Sequence, residues 1–395
     1  MKYPIGIQNF ESLRKDGYTY VDKTAMIHQL ASQGRYYFLS RPRRFGKSLL
    51  LSTLEAYYSG RRDLFRGLYI DTVEKEWEVH PILHLDLNTA NYKEPDSLDA
   101  VLHNSLTEWE KLYGAEPSET TAPLRFKGIV ERAAKLTGQK TVILIDEYDK
   151  PLQQNMTNAV RQEHFRNSLK AFYSVLKTQD RYIEFALLTG VTKFSKVSVF
   201  SDLNNLNDIS MDRAYATICG ITEEEIDTCF KDSVEELART NGLTIEETQA
   251  RLKELYDGYH FTPTSAGIYN PFSVLCTFSK QEFNNYWFET GTPTFLAEML
   301  KNFQYRLPDL TKEQVTADVL NSIDSTSLNP VPIIYQSGYL TITGYNERFK
   351  RYRLGFPNKE VEEGFLNFLL PSYAPVEAKS EFDIIEFVND VETGN

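Results

Sequence analysis

The sequence predicts an α/β fold: a parallel β-sheet sandwiched by helices, followed by a helical lid and a short segment containing two more strands. Three observations carry that prediction. Tyr36-Tyr37-Phe38-Leu39 runs into a polar loop ending Gly46-Lys47-Ser48 and then into Leu49-Leu50-Leu51, which reads as strand, tight loop, helix. Val142-Ile143-Leu144-Ile145 is an uninterrupted apolar run, mostly β-branched, as in a strand buried on both faces of a parallel sheet. Between and after these runs, strand-like and helix-like stretches alternate, the pattern of βαβ units.

Taken in order, residues 1–34 are a lead-in whose helix opens at Tyr20-Val21-Asp22-Lys23-Thr24, with Asp22 or Thr24 as its cap. The first strand covers 36–40 and its following helix runs to 59. Leu83-His84-Leu85-Asp86-Leu87 is the next strand, and its Asp86 is read as structural. Helices are expected at 98–113 and 124–137, separated by a polar loop containing Pro117. The strand ending at Asp146 follows, then a helix over 158–178 and the strand Tyr182–Leu188. One more strand is expected at 214–219. Thr222 with Glu225 forms a capping box that opens an acidic helical region reaching residue 257. Tyr256-Asp257-Gly258-Tyr259-His260-Phe261 breaks it, Asn270-Pro271-Phe272 starts another helix, and 285–325 adds more. Residues 331–355 then read as helix, strand, turn and strand, with a helix after them.

The loop at 40–48 is the place for a polyphosphate. Backbone N–H groups from Arg43, Arg44, Phe45, Gly46, Lys47, Ser48 and Leu49 and the helix N-terminus present partial positive charge. Lys47 adds a full charge, and the Ser48 hydroxyl is a Mg²⁺ ligand in such loops. The usual pattern has a glycine where this chain has Arg41, and Pro42 removes one N–H donor. Downstream, Asp146 stands at a strand tip where a carboxylate holds the Mg²⁺ shell. Glu147 beside it is placed to polarise an attacking water as general base. Thr189, past the following strand, is the first choice for a γ-phosphate sensor, with Thr192 and Lys193 behind it. Both motifs sit at the C-terminal edge of a parallel sheet, where open α/β sheets bind ligands. Together they specify a nucleoside triphosphate with Mg²⁺.

Composition narrows the setting. The chain has 395 residues, net charge −12, 41% hydrophobic and 25% charged residues, which is ordinary for a globular protein. No apolar run approaches a membrane span, the N-terminus lacks an apolar leader core, and Cys219, Cys229 and Cys276 show no metal spacing. A cytoplasmic location fits. The acidic balance argues against a general nucleic-acid coat. Residues 35–66 nevertheless hold eight Lys or Arg against two acids. Arg61, Arg62 and Arg66 within them are read as a solvated helix end, with a subunit or nucleic-acid contact as the other reading.

At these residues the chain resembles a known family. RPRRFGKSLL at 41–50, ILIDEYDKPL at 143–152, the run from Leu187 to Asn205, LYDGYHF at 255–261 and QSGYLTI at 336–342 resemble the AAA-ATPase-like proteins, relatives of archaeal STAND-type ATPases. The likeness extends from YVDKT at 20–24 to LGFPNKEVEEGF at 354–365. It implies a P-loop NTPase sheet of AAA+ type with an additional strand, a helical lid and a winged-helix-like segment. In that family the Arg-Pro-Arg-Arg-Phe loop is the norm. The organisation expected is a P-loop domain over 1–220, a lid over 221–330, a winged-helix-like segment over 331–375 and an acidic tail over 376–395. Relatives commonly carry a C-terminal nuclease-like domain, and that domain is expected to be absent here. The tail from Glu377 has six acids and one lysine, and its Glu377-Ala378-Lys379 is read as coincidence.

Function follows as an expectation: an Mg²⁺-dependent ATPase acting as a switch, with Lys47, Ser48 and Asp146 holding ATP–Mg²⁺ and Glu147 activating water. The other reading is a nucleotide- or DNA-binding regulatory module without catalysis. A homo-oligomer or protein partner, and a DNA contact through Arg348, Lys350, Arg351 and Arg353, are the interactions considered. A solvated hairpin is the simpler reading of those four charges.

Overall fold

The computed structural model describes residues 1–194, 199, 203, 205–289, 314–321, 323 and 329–373. The acidic tail, with its Glu377-Ala378-Lys379, lies outside the described residues.

Five parallel strands form the central sheet: β1 (Tyr36–Ser40), β2 (Ile82–Asp86), β3 (Thr141–Asp146), β4 (Ile183–Gly190) and β5 (Asn207–Asp208), in the order β2-β3-β4-β1-β5. β1 and β3 are buried along their whole length, as their unbroken apolar runs require, while β2 at the edge alternates. The register pairs Ser40 with Gly190 and Ile145 with Leu188, so the tips of β1, β3 and β4 end side by side. β4 is the additional strand, inserted between the loop-bearing strand and the Asp146 strand. Helices Lys47–Tyr58, Ser97–Tyr113, Ala122–Thr137 and Ala159–Tyr173 flank the sheet and bury Leu51, Leu54, Leu102, Leu106, Ile129 and Phe165 in one continuous core.

Two expectations are corrected. Residues 214–219 form no strand: Arg213–Tyr215 is a 3₁₀ turn capped by Asp212, and the apolar Ile218 and Cys219 are buried by packing. The fifth strand is the polar pair Asn207–Asp208, which needs only Tyr37 and Phe38 as ladder partners on the sheet's free edge. The helix expected over 158–178 also ends early, at Tyr173, and restarts as Val175–Thr178.

Thr222 and Glu225 make the expected capping box, and helices Glu223–Cys229, Lys231–Asn241, Ile245–Tyr256 and Pro271–Lys280 close a core of their own around Phe230, Leu237, Leu252 and Phe278. The chain then returns to the main core. Helix Val331–Gln336, strands β7 (Thr341–Asn346) and β8 (Arg351–Gly355) and helix Lys359–Tyr373 follow in the anticipated order. A short strand β6 (Gln314–Val315), not anticipated, pairs with β8 and makes a three-stranded sheet. Ile334, Tyr339, Leu354 and Phe365 bury into the same core as the central sheet. No described helix is long and apolar enough to cross a membrane.

Candidate functional site

The loop after β1 turns sharply at two residues with left-handed backbone, Arg44 at φ 67° and Gly46 at φ 96°. Gly46 takes that geometry freely; Arg44 does so against its Cβ. Helix Lys47–Tyr58 begins directly after, so its first N–H groups have no intrahelical acceptor and face the loop's concave side. The cleft there is about 500 Å³ and is lined by Arg43, Arg44, Gly46, Lys47, Ser48 and Leu49 from the loop. Glu147 and Lys150 face it from beyond β3, and Asn88 from beyond β2.

Lys47 is nearly buried, and its Nζ lies 3.2 Å from the Arg41 carbonyl oxygen and 3.4 Å from that of Pro42. It is also 3.4 Å from Glu147 Oε1. Glu147 itself has φ 50°, a strained value for a non-glycine residue, in the turn that brings the carboxylate to Lys47. Asp146 Oδ1 accepts hydrogen bonds from the Thr189 hydroxyl at 2.6 Å and from the Glu147 N–H at 3.0 Å. No donor among the described residues bonds Asp146 Oδ2 or the Ser48 hydroxyl. A carboxylate oxygen and a hydroxyl left without protein partners beside a cationic cradle suit a hard divalent cation with oxygen ligands.

Lys47 and Glu147 thus meet in the cleft that Ser48 also lines, and Asp146 and Thr189 join one another directly behind Glu147. Thr189 is fully buried and spends its hydroxyl on Asp146 rather than opening onto the cleft. Thr192 and Lys193 face elsewhere: Lys193 Nζ lies 2.9 Å from Asp208 and 3.0 Å from Asn321 Oδ1, and its N–H donates to Gln336. Phe45 supplies backbone to the loop, but its ring packs edge-on against Tyr259 and Phe261. Arg43 and Arg44 reach sideways, to the Tyr339 hydroxyl and to within 5.1 Å of the Phe272 ring centre. Arg61 and Arg62 are paired, with Asp63 and Glu11 and with Asp71, as a solvated helix end would be.

Sequence reasoning missed two residues. Asp149 is fully buried and accepts from the Thr192 N–H at 2.6 Å, the Thr192 hydroxyl, the Val191 N–H and Gln153 Nε2. It ties the turn after β3 to the loop after β4. Burial, with the Glu147 charge adding to it, pushes its carboxyl up to about 6. The signal was available: it is the third acid of Asp-Glu-Tyr-Asp. Arg41, treated as a missing glycine, is a buried brace. Its Nη1 donates to the Ser40 and Ser210 carbonyls at 2.9 and 2.8 Å, its Nη2 to Tyr215 at 3.1 Å, and its guanidinium lies 3.9 Å from the Phe261 ring centre. Burial pulls it down to about 10.

The loop is also gripped from the C-terminal side. Trp287 Nε1 donates to the Arg43 carbonyl at 3.0 Å, and Gly338 lies so close that a Cβ there would come within 2.7 Å of Pro42. On the other side of Leu49 a second, largely apolar hollow of about 100 Å³ is lined by Tyr20, Val21, Phe45, Leu50, Ile218 and Pro271.

A protein of Azotobacter chroococcum, described only as an uncharacterized protein in the vnfD 5′ region, is 40% identical over 381 residues, covering 95% of this chain and 71% of its own length. A solved structure of the Aeropyrum pernix ORC2 protein, in ADPNP and ADP complexes, aligns over 95% of both chains at 11% identity with a TM-score of 0.29, too distant to bear on function. Residues 4–200, which contain the loop, Asp146, Glu147 and Thr189, match the family described as predicted AAA-ATPase, and the chain belongs to that family.

Proposed function

We propose that this protein binds ATP with Mg²⁺ and hydrolyses it slowly, as a molecular switch of the STAND type. The observation that carries the reading is the meeting of Lys47, at the start of the helix after β1, with Glu147, next to Asp146 at the tip of β3, the Lys47 Nζ lying 3.4 Å from Glu147 Oε1. Lys47 would exchange the Arg41 and Pro42 carbonyls for phosphate oxygens. Ser48 and Asp146 would hold Mg²⁺, which offsets charge on the phosphates. Glu147, released from Lys47, would take the proton of the attacking water. Thr189 would keep Asp146 oriented. The apolar hollow beside Leu49 would receive the flat base.

Movement follows from the same contacts. The carbonyls that Lys47 would release belong to Arg41 and Pro42, and the next residue is held by Trp287 while Pro42 packs on Gly338. A change at the loop would therefore shift the lid and the segment after it, in the manner of nucleotide switches.

Turnover of ATP by wild type, Lys47→Ala and Glu147→Gln tests this. The expected result is slow Mg²⁺-dependent hydrolysis in wild type, lost in both variants, with Glu147→Gln retaining ATP. Wild-type turnover in both variants would refute the assignment. Tight binding without hydrolysis in wild type, unchanged in Glu147→Gln, would support the non-catalytic module instead.

A further inference from the structure

The β7–β8 hairpin carries charge that the nucleotide site does not use. On a chain of net charge −12, its turn and outgoing strand place Arg348, Lys350, Arg351 and Arg353 against a single acid, Glu347. All four cations are exposed and none forms an ion pair with a described residue. By contrast, Arg61, Arg62, Arg125 and Arg132 each lie within 3.0 Å of a carboxylate. A basic cluster left unneutralised on an acidic protein marks a place where a polyanion can approach despite the overall repulsion.

The hairpin's geometry adds to the charge. Register pairs Tyr345 with Tyr352, Asn346 with Arg351 and Gly344 with Arg353, so the two tyrosines share one face and the two arginines the other. Arg351 and Arg353 are two residues apart on one face, a spacing comparable with neighbouring phosphates along a nucleic-acid strand. At the tip, Phe349 is 62% exposed with the Arg348 guanidinium 5.2 Å from its ring centre. Lys350 beside it has a left-handed φ of 51°. One exposed aromatic ring at the head of a basic ribbon is a stacking or wedging element next to phosphate contacts. Phe349, between Arg348 and Lys350, with only the partly exposed Tyr345 as further ring surface on the hairpin, is too little apolar surface to anchor in a lipid bilayer.

We propose that this hairpin binds DNA, with Arg348, Lys350, Arg351 and Arg353 on the phosphates and Phe349 against a base. It does not depend on the ATPase reading, and the test is run without nucleotide. Fluorescence anisotropy of a labelled mixed-sequence 24-base-pair duplex is measured with the full chain from 50 to 200 mM salt. Four phosphate contacts predict a log–log slope of about −3.6, or about 150-fold weaker binding across that range. Replacing all four cations by Ala removes the salt-dependent binding, while the variant's circular dichroism and melting stay those of wild type. Phe349→Ala weakens binding about tenfold with the slope unchanged. Salt-indifferent binding, wild-type affinity in the fourfold variant, an unaffected Phe349→Ala, or binding to anionic lipid vesicles but not to the duplex would each overturn the proposal.

Discussion

Installing the glycine that the loop lacks is expected to damage the protein. In Arg41→Gly, the carbonyls of Ser40 and Ser210 lose the guanidinium as donor, that of Tyr215 keeps only the Ile218 N–H, and the Phe261 ring loses its cation. Water entering the vacated space keeps the cost of each orphaned carbonyl near the low end, about 1 kcal/mol. The lost cation–π contact costs about 2 kcal/mol in a desolvated setting, and glycine adds about 1 kcal/mol of unfolded-chain entropy. Against these stands the relief of a buried charge. Burial lowers the guanidinium from its ordinary value to about 10, a penalty on the order of 3 kcal/mol. The balance is a destabilisation of about 2 kcal/mol, a sizeable share of the 5–15 kcal/mol typical of a folded domain. Urea unfolding followed by tryptophan fluorescence reads this as a midpoint lowered by about 1 M. Arg41→Lys falls between, because a point charge cannot serve three carbonyls in fork geometry. A midpoint for Arg41→Gly equal to or above wild type would refute the reasoning, since the arginine would then be a tolerated defect rather than a brace.

Two further outcomes test the rest of the site. Thr189→Val removes the hydroxyl that holds Asp146 Oδ1 and is expected to lower kcat 10- to 100-fold, about what loss of a ligand-orienting contact costs. KM for ATP should change little, and a fall in affinity with kcat intact would place Thr189 on the nucleotide instead. Asp149 titrates at about 6 in the folded protein, above the value of about 3.9 in an unfolded chain. Between those values the folded state holds the extra proton, so this group's stabilisation is full below pH 4 and is lost as pH rises to 6. Asp149→Asn abolishes that titration. The unfolding free energy of the variant relative to wild type should therefore rise from pH 4 to 6 and level off above, measured by urea unfolding in buffers across that range; a constant difference would exclude the effect.

Much of the core architecture could be read from short runs. Tyr36–Ser40 and Thr141–Asp146 announce themselves because strands buried on both faces need unbroken apolar residues. The positions of Lys47 and Ser48 at the start of the helix after β1, and of Asp146 and Glu147 at the end of β3, were legible because each follows directly on an apolar strand run. Thr222 and Glu225 were legible because a capping box is local. The edge strand Asn207–Asp208 was not, because two polar residues carry no periodicity and pair only where Tyr37 and Phe38 offer an edge. Asp149 and Arg41 escaped for a related reason: their partners, Thr192, Ser210 and Tyr215, are distant in sequence.

What the sequence by itself determined is the α/β plan, the phosphate-sized loop and the acids opposite it, since these depend on contiguous runs and near-neighbour spacing. Only the tertiary structure decided how those parts engage. It inserted β4 between β1 and β3, turned Thr189 onto Asp146, and left Lys47 between its own loop carbonyls and Glu147. It also set Trp287 and Gly338 against the loop at Arg43 and Pro42. Periodicity and motif spacing report which face of an element is buried and which chemistry it can offer. Which long-range partner meets that face is settled when the whole core packs, because each such contact depends on the simultaneous position of elements that no local pattern relates.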